Sequence, residues 1–142
     1  MQVINQTTPS AERMQEFFGS ADDGAFVMVN LLKFKERAEY ADGRESDLSG
    51  AEAYAIYGAG VQKCIADVGA TAGFSGQVTG LLLGEVEENW DMVALVEYPS
   101  LDAFRSMMMS PEYQKIAVHR SAGLAGQLNI RTKASSLGSV EE

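Results

Sequence analysis

Nine consecutive residues, Phe26 to Phe34, read FVMVNLLKF, and only Asn30 and Lys33 interrupt the apolar run. A strand with one wet face alternates apolar and polar side chains, so a near-continuous run predicts a strand covered on both faces. A chain of 142 residues can lay its own helices over one face of a sheet, and a partner is needed for the other. This segment therefore predicts both a helix-on-sheet layer and self-association. Met92 to Tyr98 (MVALVEY) repeats the pattern, with Glu97 as its one charged position.

The rest of the chain supplies the helices. Thr8-Pro9-Ser10 offers an N-cap and a first-turn proline, and Met14, Phe17 and Phe18 share a helical face before Gly19. Lys35 to Ser49 is charged, with Asp42-Gly43 as a turn signal, and reads as a loop. Ser49 and Glu52 have capping-box spacing and open a helix whose stripe runs through Tyr54, Tyr57, Val61 and Val68, with Gly69 as its stop. Gly58 and Gly60 lie inside it, each costing up to about 1 kcal/mol relative to alanine, which points to close packing or to a ligand against the backbone. Phe74 to Glu85 reads as a second strand, twisted or bulged by its glycines. Pro99-Ser100 starts a helix with Leu101, Phe104, Met107 and Met108 inward, and Ser110-Pro111 caps a further helical turn with Tyr113, Ile116 and Ala117. Leu124 to Thr132 is the last strand. Behind the leading helix the order is βαββαβ, the split βαβ of ferredoxin-like folds: α+β, with an antiparallel four-stranded sheet and both helices on one face. The expected division is an N-terminal helical extension (1–23), the α+β domain (24–133) and a flexible tail (134–142).

Charge and cysteine content narrow the partners. Eleven basic against twenty acidic side chains give a net charge of −9, which repels nucleic acid and anionic lipid. No apolar run reaches the roughly eighteen residues of a membrane span, and the N-terminus lacks a signal peptide's basic and apolar regions. Cys64 stands alone, so a reducing, cytoplasmic setting is expected. One histidine and one cysteine support no metal site, and Gly58-Ala59-Gly60 sits within a helix where no phosphate loop belongs. No metal or other cofactor is expected.

The stretch Trp90-Asp91, Val93 to Val96, Glu97-Tyr98-Pro99-Ser100, Phe104 and Ser110-Pro111-Glu112-Tyr113-Gln114 resembles a family filed as domain of unknown function 1330. Val29-Asn30-Leu31-Leu32-Lys33-Phe34, Ala53-Tyr54, Tyr57, and His119-Arg120 with Ala122-Gly123-Leu124 look like a longer branch of it, so the likeness spans about residues 24 to 132. The resemblance implies a homodimeric α+β barrel, two sheets face to face with helices outside. At superfamily level it is similar to cofactor-independent monooxygenases, lactone isomerases, dehydratases and haem-dependent enzymes, so fold does not choose the chemistry. Pockets in that superfamily lie between sheet and helices.

Candidate residues follow. His119, the only histidine, is the natural proton carrier near neutrality, though an end-of-helix histidine bonded to a carbonyl is the plainer reading. Arg120 can hold a carboxylate or enolate, or pair with an acidic side chain such as Glu112 or the tail. Consecutive helical residues point about 100° apart, so both facing one pocket requires the helix to end between them. Asn30 and Lys33, three apart on a strand, belong to opposite sheet faces, with Glu97 as the expected counter-ion of Lys33. Asn30 is the candidate polar group orienting a ligand, with Tyr54, Tyr57, Trp90 and Tyr98 walling the pocket. The function expected is binding, or cofactor-free proton transfer or oxidation, of a small carbonyl or aromatic compound. A non-catalytic structural or regulatory dimer with a closed pocket is the alternative, and haem ligation by His119 rests on analogy alone.

Overall fold

A computed structural model describes residues 6–137 as α1 (Ala11–Phe18), β1 (Phe26–Phe34), α2 (Gly50–Asp67), β2 (Thr71–Gln77), β3 (Met92–Tyr98), α3 (Leu101–Met109), α4 (Pro111–Gly123) and β4 (Leu124–Thr132). The strands form one antiparallel sheet in the order β2-β3-β1-β4. The two apolar runs are its central pair, with Phe26 opposite Tyr98 and Leu32 opposite Met92. This is the ferredoxin-like α+β fold that the element order predicts. Residues 138–142 of the expected tail lie outside the described residues.

Strand parity divides the side chains. Phe26, Met28 and Tyr98 enter a core with Tyr57, Val61, Cys64 and Ile65 of α2 and Leu101 and Met107 of α3. Asn30, at even spacing from Met28, shares that helix-covered face. Val27, Val29 and Leu31 point the other way, beside Val93 and Leu95 of β3 and Leu128 and Ile130 of β4. No described helix covers that second face, where Ile130 is 45% and Phe74 61% exposed. Lys33 also lies there, but its partners are Glu88 (3.1 Å) and the Asn89 carbonyl (2.9 Å). The expected Lys33–Glu97 pair is therefore wrong: the register sets Glu97 opposite Val27, six residues along the strand from Lys33.

Helix starts follow their caps. Ser10, Ser49, Ser100 and Ser110 each accept from a backbone N–H three residues on, and Glu52 returns the bond to complete the capping box of α2. Gly69 takes φ +75° just beyond α2, a conformation that favours glycine. Two expectations are corrected. The second strand ends at Gln77, and Val78 to Asp91 is a loop in which Leu81, Leu82 and Leu83 stand exposed. Gly80 and Gly84 (φ +92°) break the extended run there. The turn after Ser110-Pro111 is a thirteen-residue helix: Tyr113 and Ile116 meet α2 in its first half, and the small Ala122 and Gly123 let its end approach the start of α2.

The leading helix seals one end of the core. The Phe17 ring meets Phe26 and Phe104 edge-on, each at 6.0 Å, and the Arg131 guanidinium lies 5.2 Å over Phe26. Asp23 accepts from the backbone N–H groups of Leu101 and Asp102, adding a cap to α3.

Candidate functional site

At the other end of the sheet, α2 stands away from the strands and leaves a cleft of about 650 Å3. Its helix wall is Ser49, Ala51, Tyr54, Ala55 and Gly58, the last four at the i, i+3, i+4, i+7 spacing of one helical face. Phe34, Met92 and Gln77 form the sheet wall, and Lys35, Glu36, Val78 and Asp91 the rim. Asp91 builds the corner: its carboxylate accepts from the Phe34 N–H (2.8 Å), its N–H donates to the Leu32 carbonyl (2.8 Å), and its carbonyl accepts from Val78 (2.9 Å). The exposed leucine loop thus begins and ends on the cleft's rim.

Tyr54 joins this cleft to a polar interior. Its ring lies 5.3 Å from Phe34 and 5.2 Å from Tyr57. The Tyr57 and Tyr113 hydroxyls are 3.2 Å apart. Arg120, in the last turn of α4, donates to the Gln127 side-chain oxygen (2.5 Å), and the Gln127 amide donates to Asn30 (3.0 Å) and Asn129 (2.6 Å). The Asn30 amide in turn donates to the Ala94 carbonyl (3.1 Å). Among the described residues no carboxylate lies within ion-pair distance of Arg120. The expected pairing with Glu112 is absent, because the side chain turns to the sheet.

Burial governs the phenols. Tyr54 is pushed up to about 12 by desolvation, against the pull of the Arg120 charge. Burial raises Tyr57 well above its ordinary value, helped by Tyr113, and burial likewise raises Tyr98. At neutral pH these groups are hydrogen-bond donors and not bases. A phenol beside a guanidinium that no described carboxylate neutralises suits an oxygen bearing negative charge.

The sequence candidates separate. Tyr54 alone lines the cleft. Tyr57 lies behind it, and Asn30 and Arg120 belong to the polar row. Tyr98 is buried, stacked on Phe26 (5.5 Å) and against Phe104 (4.8 Å). Trp90 is half-buried beside the rim, where its neighbour Asp91 is the lining residue. His119 faces the 35–49 loop, its Nδ1 2.8 Å from the Tyr40 hydroxyl. Because α4 runs on to Gly123, His119 and Arg120 diverge, and His119 and Asn30 do not meet. Sequence reasoning missed Phe34, Asp91, Gln77, Met92 and Gln127. Counting by twos from Asn30 reaches Phe34; the others require the strand register. Among the described residues no cluster of His, Cys, Asp or Glu is placed to hold a metal, and no helix is long and apolar enough to cross a membrane.

The family described as domain of unknown function (DUF1330) matches residues 43–132. A protein of unknown function from Rhodopseudomonas palustris is 32% identical, with a TM-score of 0.84 over 94% of this chain and 99% of its own. Its methylated form is 35% identical, with a TM-score of 0.86 over 95% and 98%. A protein from Arabidopsis thaliana, 14% identical, shares the fold alone, with a TM-score of 0.51 over 78% and 96%. No curated protein matches the sequence significantly.

Proposed function

This chain belongs to the DUF1330 family, and we propose that it is a homodimeric protein binding a small, flat carbonyl compound or its anion in the cleft between α2 and the sheet. The observation that carries the reading is the Tyr54 phenol, which lines the cleft, is protonated at neutral pH and feels the Arg120 guanidinium, which has no carboxylate partner among the described residues. The ligand's apolar body lies between Phe34, Met92 and the α2 face. Its oxygen accepts from Tyr54, with the positive charge of Arg120 behind. In a catalytic version, the same pair stabilises the enolate formed when a proton leaves the adjacent carbon, and a rim carboxylate, Asp91 or Glu36, would receive it.

Calorimetric titration with cinnamate, flat and anionic, tests the reading. Wild-type protein is expected to bind it saturably and to prefer it to neutral cinnamamide. Hydrogen bonds involving a charged group contribute about 1.5–3 kcal/mol, so Tyr54→Phe should weaken cinnamate binding about tenfold or more, and Arg120→Gln, which removes only the charge behind it, should weaken it by a smaller factor. Unchanged affinity in both variants would remove these residues from the site.

The dimer rests on the uncovered sheet face, whose Val29, Leu31, Val93, Leu95 and Leu128 form an apolar surface of the kind that marks an interface. Leu95→Glu should convert a sedimenting dimer into monomer or unfolded chain. A variant sedimenting as the wild type does would place the contact elsewhere.

A further inference from the structure

Two glycines lie inside α2, and the structure treats them differently. A Cβ at Gly60 would come 2.8 Å from the Ile116 side chain, so that glycine lets α4 approach. A Cβ at Gly58 would meet nothing within 4 Å, and its φ is not in the left-handed region. Among the described residues neither packing nor backbone conformation calls for glycine there, although a helix interior disfavours it. What Gly58 does face is the cleft, one turn beyond Tyr54 and Ala55 and across from the sheet wall of Phe34 and Met92.

We infer that Gly58 is the specificity-determining position of this cleft: its bare backbone forms one side of a slot that admits a flat, conjugated ligand lying against the helix and excludes puckered or bulky ones. The inference rests on the binding reading above and adds to it the shape of the ligand. Any side chain at 58 projects into the slot from the α2 wall. Tyr54 and Phe34, whose rings lie 5.3 Å apart and are tilted 47° to each other, line the same cleft one turn of α2 from position 58. A saturated ring in the ligand, or a methyl group at position 58, adds thickness between the α2 wall and the sheet wall. A helix position left bare and unstable in the empty protein thereby becomes a contact in the loaded one.

The experiment compares wild type with Gly58→Ala in two readouts, the melting temperature of the ligand-free protein and calorimetric affinity for cinnamate and for cyclohexanecarboxylate. Expected is a melting temperature raised by about 3 °C, because alanine favours the helix and clashes with nothing. Alongside it, cinnamate affinity should fall about tenfold or more, and wild type should prefer cinnamate to the puckered acid. Gly58→Ala binding cinnamate as wild type does overturns the inference and leaves the binding reading standing. A lowered melting temperature also overturns it, because the glycine would then serve the fold. Wild type binding neither acid removes the binding reading and the slot with it.

Discussion

Gly123→Ala is expected to lower the melting temperature by about 10 °C or to prevent folding. The added Cβ would overlap the Gly50 carbonyl and lie 3.0 Å from the Tyr54 backbone nitrogen. On the other side of the junction, a Cβ at Gly50 would lie 2.7 Å from both the Gly123 carbonyl oxygen and the Lys35 nitrogen. All of these are backbone atoms, so no side chain can swing aside. The start of α2, the end of α4 and the end of β1 are stitched here by Lys35 N–H to the Gly123 carbonyl (2.8 Å) and Gly50 N–H to the Lys35 carbonyl (3.1 Å). Forcing the helices apart breaks those bonds and opens the small core of Ala38, Tyr40, Ala53 and Ala122. Overpacking of this kind costs about 3 kcal/mol or more where the surroundings cannot yield. Gly80→Ala, whose Cβ meets nothing, is the control and should leave the melting temperature nearly unchanged. Equal stability of Gly123→Ala and wild type would mean that the two helices do not meet backbone to backbone.

The second large effect is alkaline unfolding. Tyr54, Tyr57 and Tyr98 all have folded-state values raised above the ordinary phenol value of 10.0, mainly by burial. Below that value the phenols are protonated in both the folded and unfolded states, and stability is insensitive to them. Above it the unfolded chain releases protons that the folded chain retains, so stability falls as pH rises through the window from about 10 to 12. Each retained proton contributes a slope of about 1.4 kcal/mol per pH unit, or about 4 for three phenols. Two pH units at that slope remove roughly 8 kcal/mol, half or more of the about 5–15 kcal/mol that a domain of this size has in total. Urea midpoints measured across this range should fall steeply, and phenolate absorbance should rise together with loss of structure. Phenols that ionise near their ordinary value while the fold persists would contradict the burial of all three.

Residues whose signal is local were legible in the sequence; those defined by pairing were not. The β1 and β3 runs, the Ser49–Glu52 box and the Ser100 and Ser110 caps announce themselves within a few positions, and together they give the fold. Leu81-Leu82-Leu83 looked like strand because apolar content does not reveal that Gly80 and Gly84 break it. The length of α4 was hidden because the end of its contact with α2, beyond Tyr113 and Ile116, uses glycine and alanine where a sequence reader looks for leucine. In the site, Tyr54 was visible from its stripe and Asn30 from its interruption of β1. Their surroundings come from distant segments: Gln127 reaches Asn30 across 97 positions and Asp91 reaches Phe34 across 57. Such partners follow from the strand register, which one sequence does not display. The same dependence explains the misassigned partner of Lys33, which finds the turn before β3 and never reaches Glu97.

The most direct test of the cleft as the binding site is a titration of isotope-labelled protein with cinnamate, followed by backbone amide resonances. The account predicts saturable shifts concentrated at Phe34, Tyr54, Ala55, Gly58, Val78 and Met92, with little change around His119 and Tyr40 or across the open sheet face. Absence of saturable shifts, or shifts centred on His119 and the 35–49 loop, would contradict it.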